Sequence, residues 1–185
     1  MSGHSHWSGI KHKKGTVDQK RGKVFSKLLT AISAAAKSEQ NPDFNPRLRT
    51  AVQKAKEASV PAENIERAIK RASESGQNLE ELTFEAYGPG GAAIIIEAIS
   101  DNRNRTVAEV KKILNEAGGK WAGVGSVRWS FQYTDPHGPD TDKRGGWTPK
   151  FLQEINDDDK TNLKALIVVL EEHDDVQRVY CNVNF

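Results

Sequence analysis

The apolar periodicity of this chain changes at Gly76, and that change limits what the chain can fold into. Before Gly76, apolar side chains recur at three- and four-residue intervals, the spacing of one helix face. Val24, Phe25, Leu28, Leu29 and Ile32 predict a helix over Val17–Lys37, which Asn41-Pro42 stops because the residue before proline is pushed out of the α region. Asn45-Pro46 reads as an N-cap followed by proline at the first helical position, with Leu48, Val52 and Ala55 facing inward. A third helix follows Ser59–Pro61 and buries Ile65, Ala68, Ile69 and Ala72. Three amphipathic helices with short loops predict a small bundle.

After Gly76 the pattern alternates. Thr83–Tyr87 and Ala92–Ile99 read as two strands joined by a tight turn at Gly88-Pro89-Gly90-Gly91. Thr106 reads as the cap of a helix running to about Ala117. Ser126–Tyr133 alternates, which predicts Val127, Trp129, Phe131 and Tyr133 on one strand face. A short strand at Lys150–Ile155, a helix near Asp158–His173 and a last strand at Val176–Val183 complete the chain. The order predicts a two-layer α+β domain with helices on one face of a mainly antiparallel sheet. The expected division is residues 1–77 and 78–185, with 132–146 as a surface linker rich in proline and glycine.

Charge divides the chain at the same place. Residues 1–77 carry a balance of +8 and residues 78–185 one of −6, within a net charge of +2. The basic half suits phosphate. Its densest run holds Lys11, Lys13, Lys14, Lys20, Arg21, Lys23 and Lys27 against Asp18 alone. Cations at that density release condensed counterions from a polynucleotide and bind it with strong salt dependence. Gly3–Gly9 reads as a flexible arm whose Trp7 is suited to stacking on an unpaired base. His12, Arg47, Arg49, Arg67, Lys70 and Arg71 extend the expected surface, provided the three helices present them together. Otherwise the leading segment is an ordinary solvated terminus. Arg103 and Arg105, beside a helix start, are a possible secondary contact, or they serve only to shape the turn.

Other chemistry is not indicated. No paired carboxylates, Ser/His/Asp set or metal-ligand spacing stands out, so neither an enzyme nor a metal or cofactor is expected. His4, His6 and His12 stand among lysines that repel a cation. Gly88–Gly91 lacks the Gly-Lys-Ser/Thr ending of a phosphate-binding loop. Glu171, Glu172, His173, Asp174 and Asp175 read as a solvated acidic end. The single cysteine, Cys181, and the lack of a long apolar run or an export signal point to the cytoplasm, with no membrane partner and no small-molecule substrate.

Taken together, Gly3-His4-Ser5-His6-Trp7, Ile10–Lys14, Lys20–Leu28, Asn45–Arg49, Asn64–Arg71, Tyr87–Gly91, Asp101–Thr106 and Asp174–Tyr180 resemble the YebC/PmpR family of probable transcriptional regulators, which includes mitochondrial translational activators. The resemblance implies a helical N-terminal domain, a ferredoxin-like second domain, no catalytic residues and nucleic-acid binding. It leaves DNA and ribosomal RNA, and hence transcription regulation and a ribosome-associated role in translation, both open. Members of the usual kind carry a third domain between the strand ending near Phe131 and the segment resuming near Trp147. Only 132–146 occupies that gap here, which implies a shortened form.

Overall fold

The computed structural model describes the backbone of residues 5–74, 78–134 and 146–185, and the side chains of 20–72, 78–134 and 146–185. Helix α1 (Ser5–Ala36) packs against α2 (Pro46–Glu57) and α3 (Ala62–Glu74). The backbone of the expected arm is therefore helical from Ser5 onward, continuous with the helix predicted to begin at Val17. The cluster that closes the bundle contains Ile32, Leu48, Ala55, Ile65 and Ala68, apolar positions that the three-to-four-residue spacing selects, together with Val60 from the loop between α2 and α3.

Asn45 joins α1 to α2. Its Oδ1 accepts from Leu48 N at 3.0 Å, while its Nδ2 donates to the carbonyls of Ala35 at 2.8 Å and Glu39 at 2.7 Å. One buried amide thus caps the start of α2 and satisfies carbonyls at the end of α1.

Strands β1 (Glu80–Tyr87) and β2 (Ala93–Ser100) form an antiparallel hairpin. The turn between them includes Gly90 at φ 69°, where an added Cβ would stand 2.7 Å from the side chain of Ile155, so glycine is required twice over. Helix α4 (Arg103–Glu116) leads to β3 (Lys120–Ala122), a short edge strand that alternation did not reveal. The chain then forms β4 (Phe131–Thr134), β5 (Gly146–Pro149), α5 (Asp157–Glu172) and β6 (Val176–Cys181). The main sheet runs β3-β1-β2-β6 and is antiparallel throughout, with β4 and β5 as a separate two-stranded ribbon. Its layers are the expected α+β, ferredoxin-like ones. Leu82, Phe84, Ile94 and Ile96 meet Val110 and Leu114 of α4 and Leu163, Leu166 and Leu170 of α5 in the larger core.

Three local expectations are corrected. Asn102, not Thr106, caps α4, its side chain accepting from Arg105 N; Thr106 is one turn inside and buried. The segment Ser126–Tyr133 is not one strand: it passes through a 3-10 turn at Arg128–Ser130 before β4. Val127 and Phe131 are 1% and 3% exposed whereas Trp129 and Tyr133 are 63% and 50% exposed, because the turn rotates the chain out of alternation. The strand expected at Lys150–Ile155 lies earlier, at Gly146–Pro149, where Phe131, Gln132, Tyr133 and Thr134 supply its partners.

Candidate nucleic-acid interface

Helices α1 and α3 flank a shallow groove of about 360 Å³. Ser26, Thr30 and Ser33 line one side, with Asn64, Arg67 and Arg71 opposite. Ser33 Oγ donates to Ala68 O at 2.9 Å, which fixes the two helices at close approach. Arg67 also pairs with Glu63 one turn earlier on α3. Hydroxyl donors and guanidinium groups arranged along one groove are the equipment for binding phosphate oxygens.

Further along α1, Lys20, Arg21 and Lys23 are exposed. The Arg21 guanidinium lies 5.1 Å from the centre of the Phe25 ring. Lys23 and Lys27 turn toward the end of α5, where Lys23 Nζ donates to Glu172 O at 3.0 Å and Lys27 Nζ donates to Glu171 O. Burial lowers the pKa of Lys27, and Lys23 adds to this, while Glu171 and Asp174 oppose it. Lysines at a helix C-terminus also meet the negative end of its dipole. These two cations thus hold the helical bundle against the α+β domain as well as adding charge to α1.

The other expected residues separate into groups. Arg47 pairs with Glu81 at the start of β1. Arg49 donates to the carbonyls of Pro42 at 3.1 Å and Asp43 at 2.7 Å and so braces the loop between α1 and α2. Lys70 is exposed on α3. The backbone of Trp7, Lys11, His12, Lys13 and Lys14 belongs to α1, but their side chains lie outside the described residues, as do the side chains of His4 and His6.

Arg103 is exposed at the first turn of α4, whereas Arg105 is drawn into an ion-pair network. Its guanidinium meets Asp175 Oδ2 at 2.9 Å and Asp101 Oδ1 at 3.0 Å. Its pKa is raised chiefly by the hydrogen bond and charge of Asp175. Thr106 Oγ1 donates to the same Asp175 oxygen at 2.6 Å. Burial pushes the Asp175 carboxyl upward, but Thr106, Arg105 and Ser100 outweigh it and the pKa ends below its ordinary value.

The acidic end read as solvated is therefore partly built into the fold. His173 Nε2 lies 2.9 Å from Glu109 Oε2, and Asp175 N donates to His173 Nδ1 at 3.2 Å. Ligand atoms of Glu109, His173 and Asp175 lie within 4.8 Å of one another, and the two carboxylates hold the Arg105 guanidinium, Asp175 at 2.9 Å and Glu109 at 3.9 Å. Sequence spacing could not show this, because 70 residues separate Arg105 from Asp175.

A buried carboxylate was missed for the same reason. Glu85 on β1 accepts from Gly125 N at 2.7 Å, Val127 N at 2.8 Å and Arg128 N at 2.9 Å. Burial raises its pKa, yet the three amides and the Arg128 charge outweigh it, and the net shift is downward. Strand alternation marks Glu85 as lying on the opposite face from Phe84, but nothing local identifies its partners.

No helix among the described residues is long and apolar enough to cross a membrane. Comparison with known proteins extends these observations. Residues 5–75 match the TACO1/YebC protein N-terminal domain, and residues 79–134 match the TACO1/YebC second and third domain. A "Probable transcriptional regulatory protein" from Solibacter usitatus is 36% identical over 236 aligned residues, spanning 98% of this chain and 95% of that one. That alignment is longer than the 185 residues here, so the relative carries residues without a counterpart. A similarly named protein from Chloroherpeton thalassium is 54% identical over 135 residues, covering 71% of this chain and 54% of its own length. The crystal structure of a conserved hypothetical protein from Aquifex aeolicus superposes with a TM-score of 0.81 at 33% identity, covering 97% of each chain. Matched across both its helical and its α+β parts, the chain belongs to the TACO1/YebC family.

Proposed function

We propose that this chain is a nucleic-acid-binding regulator of gene expression that acts by binding rather than catalysis, as a DNA-binding transcriptional regulator. The observation that carries the reading is the α1/α3 groove, where Arg67 and Arg71 stand across from the hydroxyls of Ser26 and Thr30 within the half of the chain that carries the +8 balance. The names of the relatives, probable transcriptional regulatory proteins, agree with it. Lys11, Lys13 and Lys14 extend the charge along the same helix.

One observation favours a second reading, a ribosome-associated translation factor that binds ribosomal RNA. The guanidinium groups and hydroxyls of the groove suit phosphate and sugar oxygens, contacts that need no readout of a duplex major groove and that folded RNA offers as readily as DNA. Trp7 supports it too, as an aromatic suited to an unpaired base.

We place the site of the family's third domain in the β4–β5 ribbon. Thr134 and Gly146 are direct partners in that ribbon, so its two ends are adjacent and can be joined by either a short segment or an inserted domain. The match to the second and third domain ends at residue 134, in agreement with a two-domain form.

The decisive experiment is binding of the full chain to double-stranded DNA, single-stranded RNA and duplex RNA in dilute buffer, followed by crosslinking and sequencing from cells. Promoter fragments support the first reading and ribosomal RNA the second. A chain that ignores every polynucleotide at low salt refutes both.

A further inference from the structure

A second cleft, separate from the α1/α3 groove, lies between α2 and the face of the sheet turned away from α4 and α5. Its volume is about 620 Å³, and its lining includes Arg47, Lys54, Glu97, Gln177, Arg178 and Tyr180. That size falls within the range of small-ligand sites and is too large for a lone ion.

Gln177 stands where β2 and β6 change register. Glu97 pairs with Arg178 and Ala98 with Val176, so Gln177 is the extra residue of a bulge. Its Nε2 is buried and has no hydrogen-bond partner among the described residues. Burying an unpaired donor is costly, and such groups call for an acceptor from outside the fold.

Lys54 lines the same cleft. No hydrogen bond or ion pair joins its ammonium to another described residue. Burial lowers its pKa, and the Arg178 charge lowers it further, against the pull of Glu97 and Glu57. Two cations thus share a partly dehydrated space, an arrangement that a bound anion relieves.

The acids of the cleft have partners of their own, although the donors to Glu97 are neutral and leave its charge acting on Lys54. Glu97 Oε1 accepts from Trp147 Nε1 at 3.0 Å and Oε2 from Tyr180 Oη at 3.1 Å, while Glu81 pairs with Arg47. Tyr133, packed 4.9 Å from the Trp147 ring, adds an aromatic wall.

We propose that this cleft binds a phosphate-bearing ligand of about mononucleotide size, with Lys54 and Gln177 contacting the phosphate oxygens. A phosphate offers at least three acceptors and up to two charges, matching two neighbouring cations plus a neutral amide, whereas a carboxylate offers two acceptors and one charge. The aromatic wall suits a base or sugar. The phosphate is carried either by a free nucleotide or by the end of a nucleic-acid strand, and the two sources are separable.

The test uses the full chain in thermal melts and calorimetry with inorganic phosphate, a nucleoside monophosphate, and a short oligonucleotide with or without a 5′-phosphate. The monophosphate should raise the melting temperature by about 5 °C or more at a hundredfold excess over Kd. Gln177→Leu should fold at least as stably without ligand, since an apolar group replaces an unsatisfied donor, yet bind about tenfold more weakly. Lys54→Met should weaken binding by a similar factor. Stabilisation by the monophosphate assigns a free nucleotide, and stabilisation by the phosphorylated oligonucleotide alone assigns a strand end. Lys20→Ala with Arg21→Ala should leave the response to the monophosphate intact, which separates this site from the proposed nucleic-acid surface. No stabilisation by any phosphate probe, or an equal response from wild type and both cleft variants, overturns the proposal.

Discussion

Lys23 Nζ donates to the backbone carbonyl of Glu172 at 3.0 Å, so a residue of the basic helix is also a tie to the acidic end of α5. Removing Lys23 alters both surface charge and the contact between helices. Lys20 and Arg21, both exposed and without such a tie, are the cleaner probes. Lys20→Ala with Arg21→Ala should reduce the slope of log affinity against log salt by about 1.4 to 1.8, the value for two neutralised phosphates. Fluorescence anisotropy across a salt series measures it, and an unchanged slope removes this part of α1 from the interface.

Asn45 should be among the most sensitive positions of the bundle. Asn45→Ala removes the α2 cap and leaves the carbonyls of Ala35 and Glu39 without this donor. The expected loss is about 2 to 4 kcal/mol, from one cap and two hydrogen bonds. Asn45→Asp retains the cap acceptor but turns a carboxylate oxygen onto the two carbonyls in a buried site, and should lower the urea midpoint at least as far as Asn45→Ala. A wild-type midpoint for Asn45→Ala would show that the amide does not join the helices.

Acid should unfold the α+β domain through Glu85 and Asp175. Both carboxyls have pKa values below their ordinary ones in the folded chain. Each therefore contributes stability that is fully present above its unfolded value, about 4.3 for Glu and 3.9 for Asp, and is lost as pH falls through the lower folded value. Melting temperature should hold from pH 7 to about 5 and drop below that. Glu85→Gln should lower stability at pH 7 and flatten the drop. An equal acid drop in wild type and Glu85→Gln would assign the effect elsewhere.

Ser59 adopts φ 62° just after α2, a left-handed conformation that a side chain disfavours. Val60 N donates to Ala55 O at 2.9 Å across this turn, so the conformation is required by the helix end. Ser59→Gly should stabilise the chain by about 0.5 to 1 kcal/mol. A loss of stability on chemical denaturation would show that the hydroxyl contributes more than the backbone strain costs.

How much could be read beforehand depended on the distance between interacting residues. The Asn45-Pro46 cap was legible because its signal lies within four residues of its effect. The three-helix packing was legible because Leu48, Ala55 and Ile65 repeat along single elements. The strand through Ser126–Tyr133 was misread because Glu85, 42 residues before Val127, accepts from the amides of Gly125, Val127 and Arg128, contacts that no local pattern encodes. The cations were visible as a charge run, but their separation into the α1/α3 groove, the α5 tie and the Arg105 network was not.

Local periodicity and charge were enough to divide this chain into a basic helical part and an acidic α+β part, because helix and strand periods and the count of ionised groups are properties of neighbouring residues. Which cations face a groove, which carboxylates are buried, and that a bulge in β6 sets the Gln177 amide, without a partner among the described residues, in one cleft with a lysine of α2 required the folded chain. Burial and hydrogen bonding between distant residues exist only after the elements pack, and they decide which charges are spent inside the molecule and which face a partner.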